Sequence, residues 1–122
     1  MREVILGNVP SKSNSYRIIK IGGRCSLGKT TQLKKYERDF ELQCRLHKGK
    51  ELEHFRCYVD FYYDSRRPDL DNGFKIFFDM LQKVNAIKND NKCLEIHARK
   101  FLDKNNPRIE FELFAVEPKD NQ

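Results

Sequence analysis

The segment Phe55-Arg56-Cys57-Tyr58-Val59-Asp60-Phe61-Tyr62-Tyr63 limits the fold more than any other part of the chain. Phe55, Cys57, Val59, Phe61 and Tyr63 alternate with more polar residues, and a period of two means a β-strand with one face in a core. A strand that apolar on one side needs another layer packed against it. Two stretches can supply that layer. Residues 30–48 read as a long amphipathic helix with a stripe of Leu33, Tyr36, Phe40, Cys44 and His47, widened by Leu42 and Leu46, and with Gly49 near its exit. Phe74, Phe77, Phe78, Leu81 and Val84, spaced three or four apart, predict a second helix.

Shorter strands complete the pattern. Residues 3–9 read as a strand ended by Pro10, and Tyr16 to Ile21 as another closed by Gly22-Gly23. Residues 93–100 and 108–116 alternate on either side of the turn Asn105-Asn106-Pro107 and predict a hairpin. The fold class is α+β: a mixed, mostly antiparallel sheet with two main helices. A chain of 122 residues without an internal repeat or linker predicts one domain over residues 1–122, with a frayed tail from Pro118 to Gln122. It has no secretory h-region and no apolar run long enough for a bilayer, which points to the cytoplasm. The four cysteines, Cys25, Cys44, Cys57 and Cys93, form no C-x-x-C pair and suggest reduced thiols.

The central strand delivers the chain to Arg66-Arg67-Pro68-Asp69-Leu70-Asp71-Asn72-Gly73-Phe74-Lys75, which runs on through Asp79 to Asp90. Like charges this close repel unless something positive lies between them. A hard divalent cation held by carboxylate oxygens is one answer. Pro68 favours an extended loop before it. Asp71 is expected to cap the second helix and to share one of its faces with Lys75 and Asp79. The plainer alternative stays open: an aspartate acting only as a cap, and an ordinary solvated ion pair at Lys75.

The ordered run Arg67-Pro68-Asp69-Leu70-Asp71-Asn72-x-x-Lys75-x-x-x-Asp79-x-Leu81, followed by Ile87-x-Asn89-Asp90, resembles the signature of the RusA-type Holliday junction resolvases. The stretch Val9-Pro10-Ser11-x-Ser13-Asn14-x-Tyr16-Arg17 is similar to that family's entry after its first strand. The resemblance implies a homodimeric, Mg²⁺-dependent endodeoxyribonuclease that cuts four-way DNA junctions in recombination and repair, with Mn²⁺ able to substitute. It makes Asp69, Asp71 and Asp90 the catalytic, metal-binding carboxylates and Lys75 the catalytic lysine. Asp79 and Asn89 become supporting residues; Asn89 stands where the family often has a second acid. Lys12, Asn14, Tyr16, Arg17, Arg66 and Arg67 are candidate DNA contacts, with charge balance beside the acids as the alternative for Arg66 and Arg67, and the family geometry would bring Tyr16 and Arg17 near the metal site.

Charge distribution agrees with a polyanionic partner. Residues 1–50 carry 12 Lys and Arg against 4 Asp and Glu, a balance of +8, whereas residues 51–122 carry 12 against 14, a balance of −2. Lys20, Arg24 and Lys29 join the residues expected to touch phosphates. The alternative function is a noncatalytic basic nucleic-acid-binding protein whose acids are caps and ion-pair partners. Two further patterns compete. Gly23-Arg24-Cys25-Ser26-Leu27-Gly28-Lys29-Thr30 matches G-x-x-x-x-G-K-[ST] literally, but the charged helix after it suits a phosphate loop poorly, so no nucleotide cofactor is expected. Cys44-x-x-His47 and His54-x-x-Cys57 have zinc-like spacing, yet core cysteines are ordinary.

Overall fold

The computed structural model describes residues 1–118, the side chain of Lys12 excepted, so the phosphate contact expected of Lys12 and the tail beyond Pro118 lie outside the described residues. In chain order the elements are β1 (Glu3–Leu6), β2 (Tyr16–Ile21), β3 (Arg24–Lys29), α1 (Thr31–Gln43), β4 (Phe55–Tyr63), α2 (Phe74–Lys83), β5 (Cys93–Leu102) and β6 (Arg108–Ala115). Short 3₁₀ turns lie at Lys12–Asn14 and Asp90–Lys92. Four strands form one mixed sheet in the order β1-β6-β4-β5, and β2 pairs with β3 in a separate antiparallel ribbon. The expected α+β architecture with two helices is present.

The alternation in β4 fixes the core. Phe55, Cys57, Val59, Phe61 and Tyr63 all face inward and are buried. Both helices cover that face: the Phe40 ring of α1 stacks 6.4 Å from Phe111, and Phe77 of α2 lies 5.1 Å from Phe111 and 6.0 Å from Phe61. Burying each such side chain contributes about 1.5–3 kcal/mol, enough to dominate local preferences. The opposite face mixes charge with aromatic rings: Tyr62 stacks 4.8 Å from Phe101, and the Asp60 carboxylate is gripped by Arg2 at 2.7 Å and by Arg99 at 2.9 Å.

The hairpin expected between the last two strands does not form. β4 lies between them, parallel to β5 and antiparallel to β6. A strand this apolar takes the centre of the sheet, with both edges paired. Helix α2 carries the chain over the sheet so that β5 returns parallel on one edge, which a tight turn cannot do. β1 is also shorter than expected. Gly7, at φ +116°, turns the chain after Leu6 and donates its N–H to Pro107 O at 2.9 Å.

Helix α1 begins where Thr30 Oγ1 accepts a hydrogen bond from Leu33 N–H at 3.2 Å. It stops at Gln43, five residues before the expected end, because a distant acid intercepts it. Glu3, only 3% exposed, accepts from the N–H groups of Arg45 (2.6 Å), Leu46 (2.9 Å) and His47 (3.0 Å). Its carboxylate also meets Cys44 Sγ at 3.4 Å and His47 Nδ1 at 3.0 Å. Leu113 N–H donates to His47 Nε2 at 3.3 Å, so the proton of the neutral ring sits on Nδ1 and points at Glu3. The apolar stripe ends accordingly: Leu42 and Leu46 are 70% and 42% exposed and do not widen it.

Gly22 and Gly23, at φ +57° and +79°, form the two-residue turn between Ile21 and Arg24. Residues 24–29 are therefore a strand in an antiparallel ribbon, not a loop cradling phosphate ahead of a helix. The zinc-like pair is absorbed as well, since Cys44 and His47 both serve Glu3, and all four cysteines are free. Among the described residues no helix is long and apolar enough to cross a membrane.

Candidate active site

Two consecutive turns shape the loop that follows β4. Asn72 N–H donates to Asp69 O at 3.0 Å, and Phe74 N–H donates to Asp71 O at 3.1 Å. Lys100 of β5 steadies the loop from the sheet by donating to Pro68 O at 3.0 Å. Gly73 lets the loop press onto the core, because a Cβ there would fall 2.8 Å from Val9 Cγ1 and 3.2 Å from Phe61. Helix α2 starts only at Phe74, with Gly73 as its N-cap and no side-chain capping bond.

That geometry corrects one expectation. Asp71 does not cap α2 with its side chain, nor does it share a helical face with Lys75. Its main-chain carbonyl makes the turn, and its carboxylate is left exposed. Burial pushes the Tyr63 hydroxyl up to about 12, and the negative charge of Asp71 adds to the shift. Asp69 is exposed two residues earlier in the same loop.

Lys75 and Asp79 pair at 2.9 Å across one turn of α2. The hydrogen bond from Asp79 raises the lysine pKa, and the charge of Asp90 and the presence of Tyr16 push in the same direction. Asp90 therefore sits within the electrostatic reach of Lys75. It is held there by Gln82, whose Oε1 accepts from Asp90 N–H at 3.0 Å. Lys75, Asp79 and Gln82, at i, i+4 and i+7, line one face of α2, and the chain folds back along it to deliver Asp90. Sequence reading missed Gln82; the continuation of the Lys75–Asp79 spacing by one further turn was the available signal. It also missed Lys100, for which no local pattern exists, because the loop it holds is 32 residues away.

Asn89 caps the turn Asp90–Lys92, its Oδ1 accepting from Asn91 N–H at 3.0 Å. Its amide oxygen thus already has a structural task. Most of the basic residues expected to meet DNA are exposed. Arg66 and Arg67 are exposed, and among the described residues neither forms an ion pair. Arg17, Lys20 and Arg24 are exposed on the β2–β3 ribbon, while Tyr16 at the start of β2 is half-buried. Asn14 is exposed, and its carbonyl anchors the Thr30 hydroxyl at 2.9 Å. Lys29, expected to meet phosphate, is held by Glu37 at 2.9 Å instead, and that hydrogen bond raises its pKa.

In kind, the acids suit a hard divalent cation. Asp69, Asp71 and Asp90 are all exposed, and among the described residues no side chain bonds their carboxylates. In position, they are not closed into a ligand set: among the described residues no three Asp, Glu, His or Cys side chains gather as a metal-holding group. Asp69 and Asp71 thus share one exposed loop with Arg66 and Arg67, while Asp90 lies within the electrostatic reach of the charged Lys75, and groups of these kinds can bind and polarise a phosphodiester.

The family model described as Endodeoxyribonuclease RusA matches residues 9–113, from the entry after β1 into β6. No curated protein matches the chain.

Proposed function

The chain belongs to the RusA endodeoxyribonuclease family, and from that premise we propose that it is a Mg²⁺-dependent nuclease that resolves four-way DNA junctions in recombination and repair. The observation that supports the proposal is that the carboxylates of Asp69, Asp71 and Asp90 have no side-chain partner among the described residues, with Asp90 within the electrostatic reach of a charged Lys75. Those three acids would hold the cation, with Mn²⁺ as a substitute. When bound, a divalent cation supplies Lewis acidity to the scissile phosphate and to the attacking water.

The chain's own groups do the rest. Lys75, kept protonated by Asp79, presents positive charge to the leaving oxygen rather than acting as a base. Gln82 positions Asp90 through its main-chain N–H, and Lys100 positions the Asp69–Asp71 loop through Pro68. Arg66, Arg67 and Arg17 neutralise phosphates on either side and set the register of the strand without reading sequence. A four-way junction has approximate two-fold symmetry, so a two-fold dimer would place identical mouths on opposing strands.

The test is a synthetic four-way junction incubated with the protein while Mg²⁺ is titrated. Paired, symmetric nicks that depend on Mg²⁺ are expected. Tight binding with no cutting in any divalent cation would instead identify a noncatalytic nucleic-acid-binding protein.

A further inference from the structure

A second concavity opens beside the acidic loop. It measures about 340 Å³ and shares Arg67, Pro68 and Asn72 with that loop. Its other wall comes from the segment after β1 and from the start of α1, including Pro10, Asn14 and Gln32. The size falls at the lower end of the range for small-ligand sites, about 300–1,000 Å³. It would take one planar heterocycle but not a stacked base pair.

The lining carries several side-chain amides. Among the described residues, the side-chain amides of Asn14, Gln32 and Asn72 make no hydrogen bond, although each stands at a place where the main chain is fixed. Asn14 is pinned by two bonds from its N–H to Ser11 and one from Thr30 to its carbonyl. Asn72 is pinned by its N–H to Asp69 O. Gln32 lies in the first turn of α1, behind the Thr30 cap. Amides offer a donor and an acceptor side by side, which is the pattern on the edge of a nucleobase. The rings of Pro10 and Pro68 supply flat apolar surface. Arg67, without an ion pair among the described residues, is available for the phosphate attached to such a base.

We propose that this pocket receives one unstacked nucleobase adjacent to the scissile phosphate, and that Asn14, Gln32 and Asn72 read its hydrogen-bonding edge. The inference rests on the nuclease reading and adds sequence selection to it. Four-way junctions suit such a device, because bases at a branch point leave the stack at lower cost than bases inside a duplex. The contacts made by Arg66 and Arg17 position the strand whatever its sequence, so the pocket is where the choice of cutting position is made.

The test has two arms. In EDTA, where no cutting occurs, junctions carrying 2-aminopurine at successive positions around the branch point are bound to the protein. Fluorescence should rise at one position for the wild type, and the rise should be lost in Gln32→Ala and Asn14→Ala, both exposed positions where folding is not at stake. In Mg²⁺, the wild type should favour one base at that position by about tenfold, and each variant should reduce the preference to about twofold. No fluorescence rise at any position, or a rise unchanged in both variants, overturns the pocket reading even if junctions are cut. A rise that depends on Gln32 and Asn14 in a protein that never cuts keeps the pocket and removes the nuclease reading instead.

Discussion

Asp71→Asn binds a four-way junction as well as the wild type does and cuts it at least about 10³-fold more slowly. The substitution preserves size and the main-chain bond from Phe74 N–H to Asp71 O, so the loop and the start of α2 are undisturbed. It removes one negative charge from a mouth whose acids have no side-chain partners among the described residues. In the proposed mechanism binding comes from arginines and lysines rather than from Asp71. In the absence of metal the Kd should therefore shift by less than about threefold, and toward tighter binding, since a charge that repels phosphate is gone. Gel mobility and cleavage on the same junction measure both quantities. Wild-type cleavage by the variant would remove Asp71 from the catalytic set.

Glu3→Ala lowers the melting temperature by about 10–20 °C. The Glu3 carboxylate is buried and accepts from three consecutive N–H groups and the His47 ring. Without it those donors lose their partner, at about 1–3 kcal/mol each where water cannot replace it, and a total of about 3–5 kcal/mol is expected. For a domain of this size, with about 5–15 kcal/mol in all, that is a large fraction. The same cluster gives stability its pH dependence. Burial lowers the His47 pKa from 6.5, outweighing the Glu3 hydrogen bond. For Glu3, burial acts to raise the pKa, but the bonds from Arg45, Leu46 and His47 bring it below 4.5. Both groups bind protons more readily when unfolded, so both stabilise the fold at neutral pH. The contribution of His47 is lost as pH falls below about 6.5, and that of Glu3 as it falls below about 4.5. Thermal melts of the wild type should show both stages, and Glu3→Ala should lack the lower one. A melting temperature unchanged by the substitution would contradict the role given to Glu3.

The parts of the fold that depend on local period were readable from sequence. The strand at residues 55–63 and the apolar face of α2 appear where alternation and three-to-four spacing put them. What sequence did not disclose depends on contacts between distant residues. Glu3 ends α1 from more than forty positions away, and β4 separates two strands that local pattern would join. The site divides along the same line. The acids, Lys75 and the arginines carry a linear signature, whereas Gln82 and Lys100 act through partners brought near only by the sheet and the crossover. Asp71 misled because an aspartate before a helix has a strong local meaning. Packing of Gly73 against Val9 placed the helix start two residues later and left the carboxylate outside it.

Most directly at stake is whether Asp69, Asp71 and Asp90, which stand apart in this structure, act together on one cation. Titration of Mn²⁺ followed by electron paramagnetic resonance, on the wild type and on Asp90→Asn, measures this without DNA or turnover. Saturable uptake by the wild type, weakened at least about tenfold by the substitution, is the expected result. Equal Mn²⁺ binding by both proteins would mean that Asp90 holds no metal and that the nuclease mechanism described for this mouth is wrong.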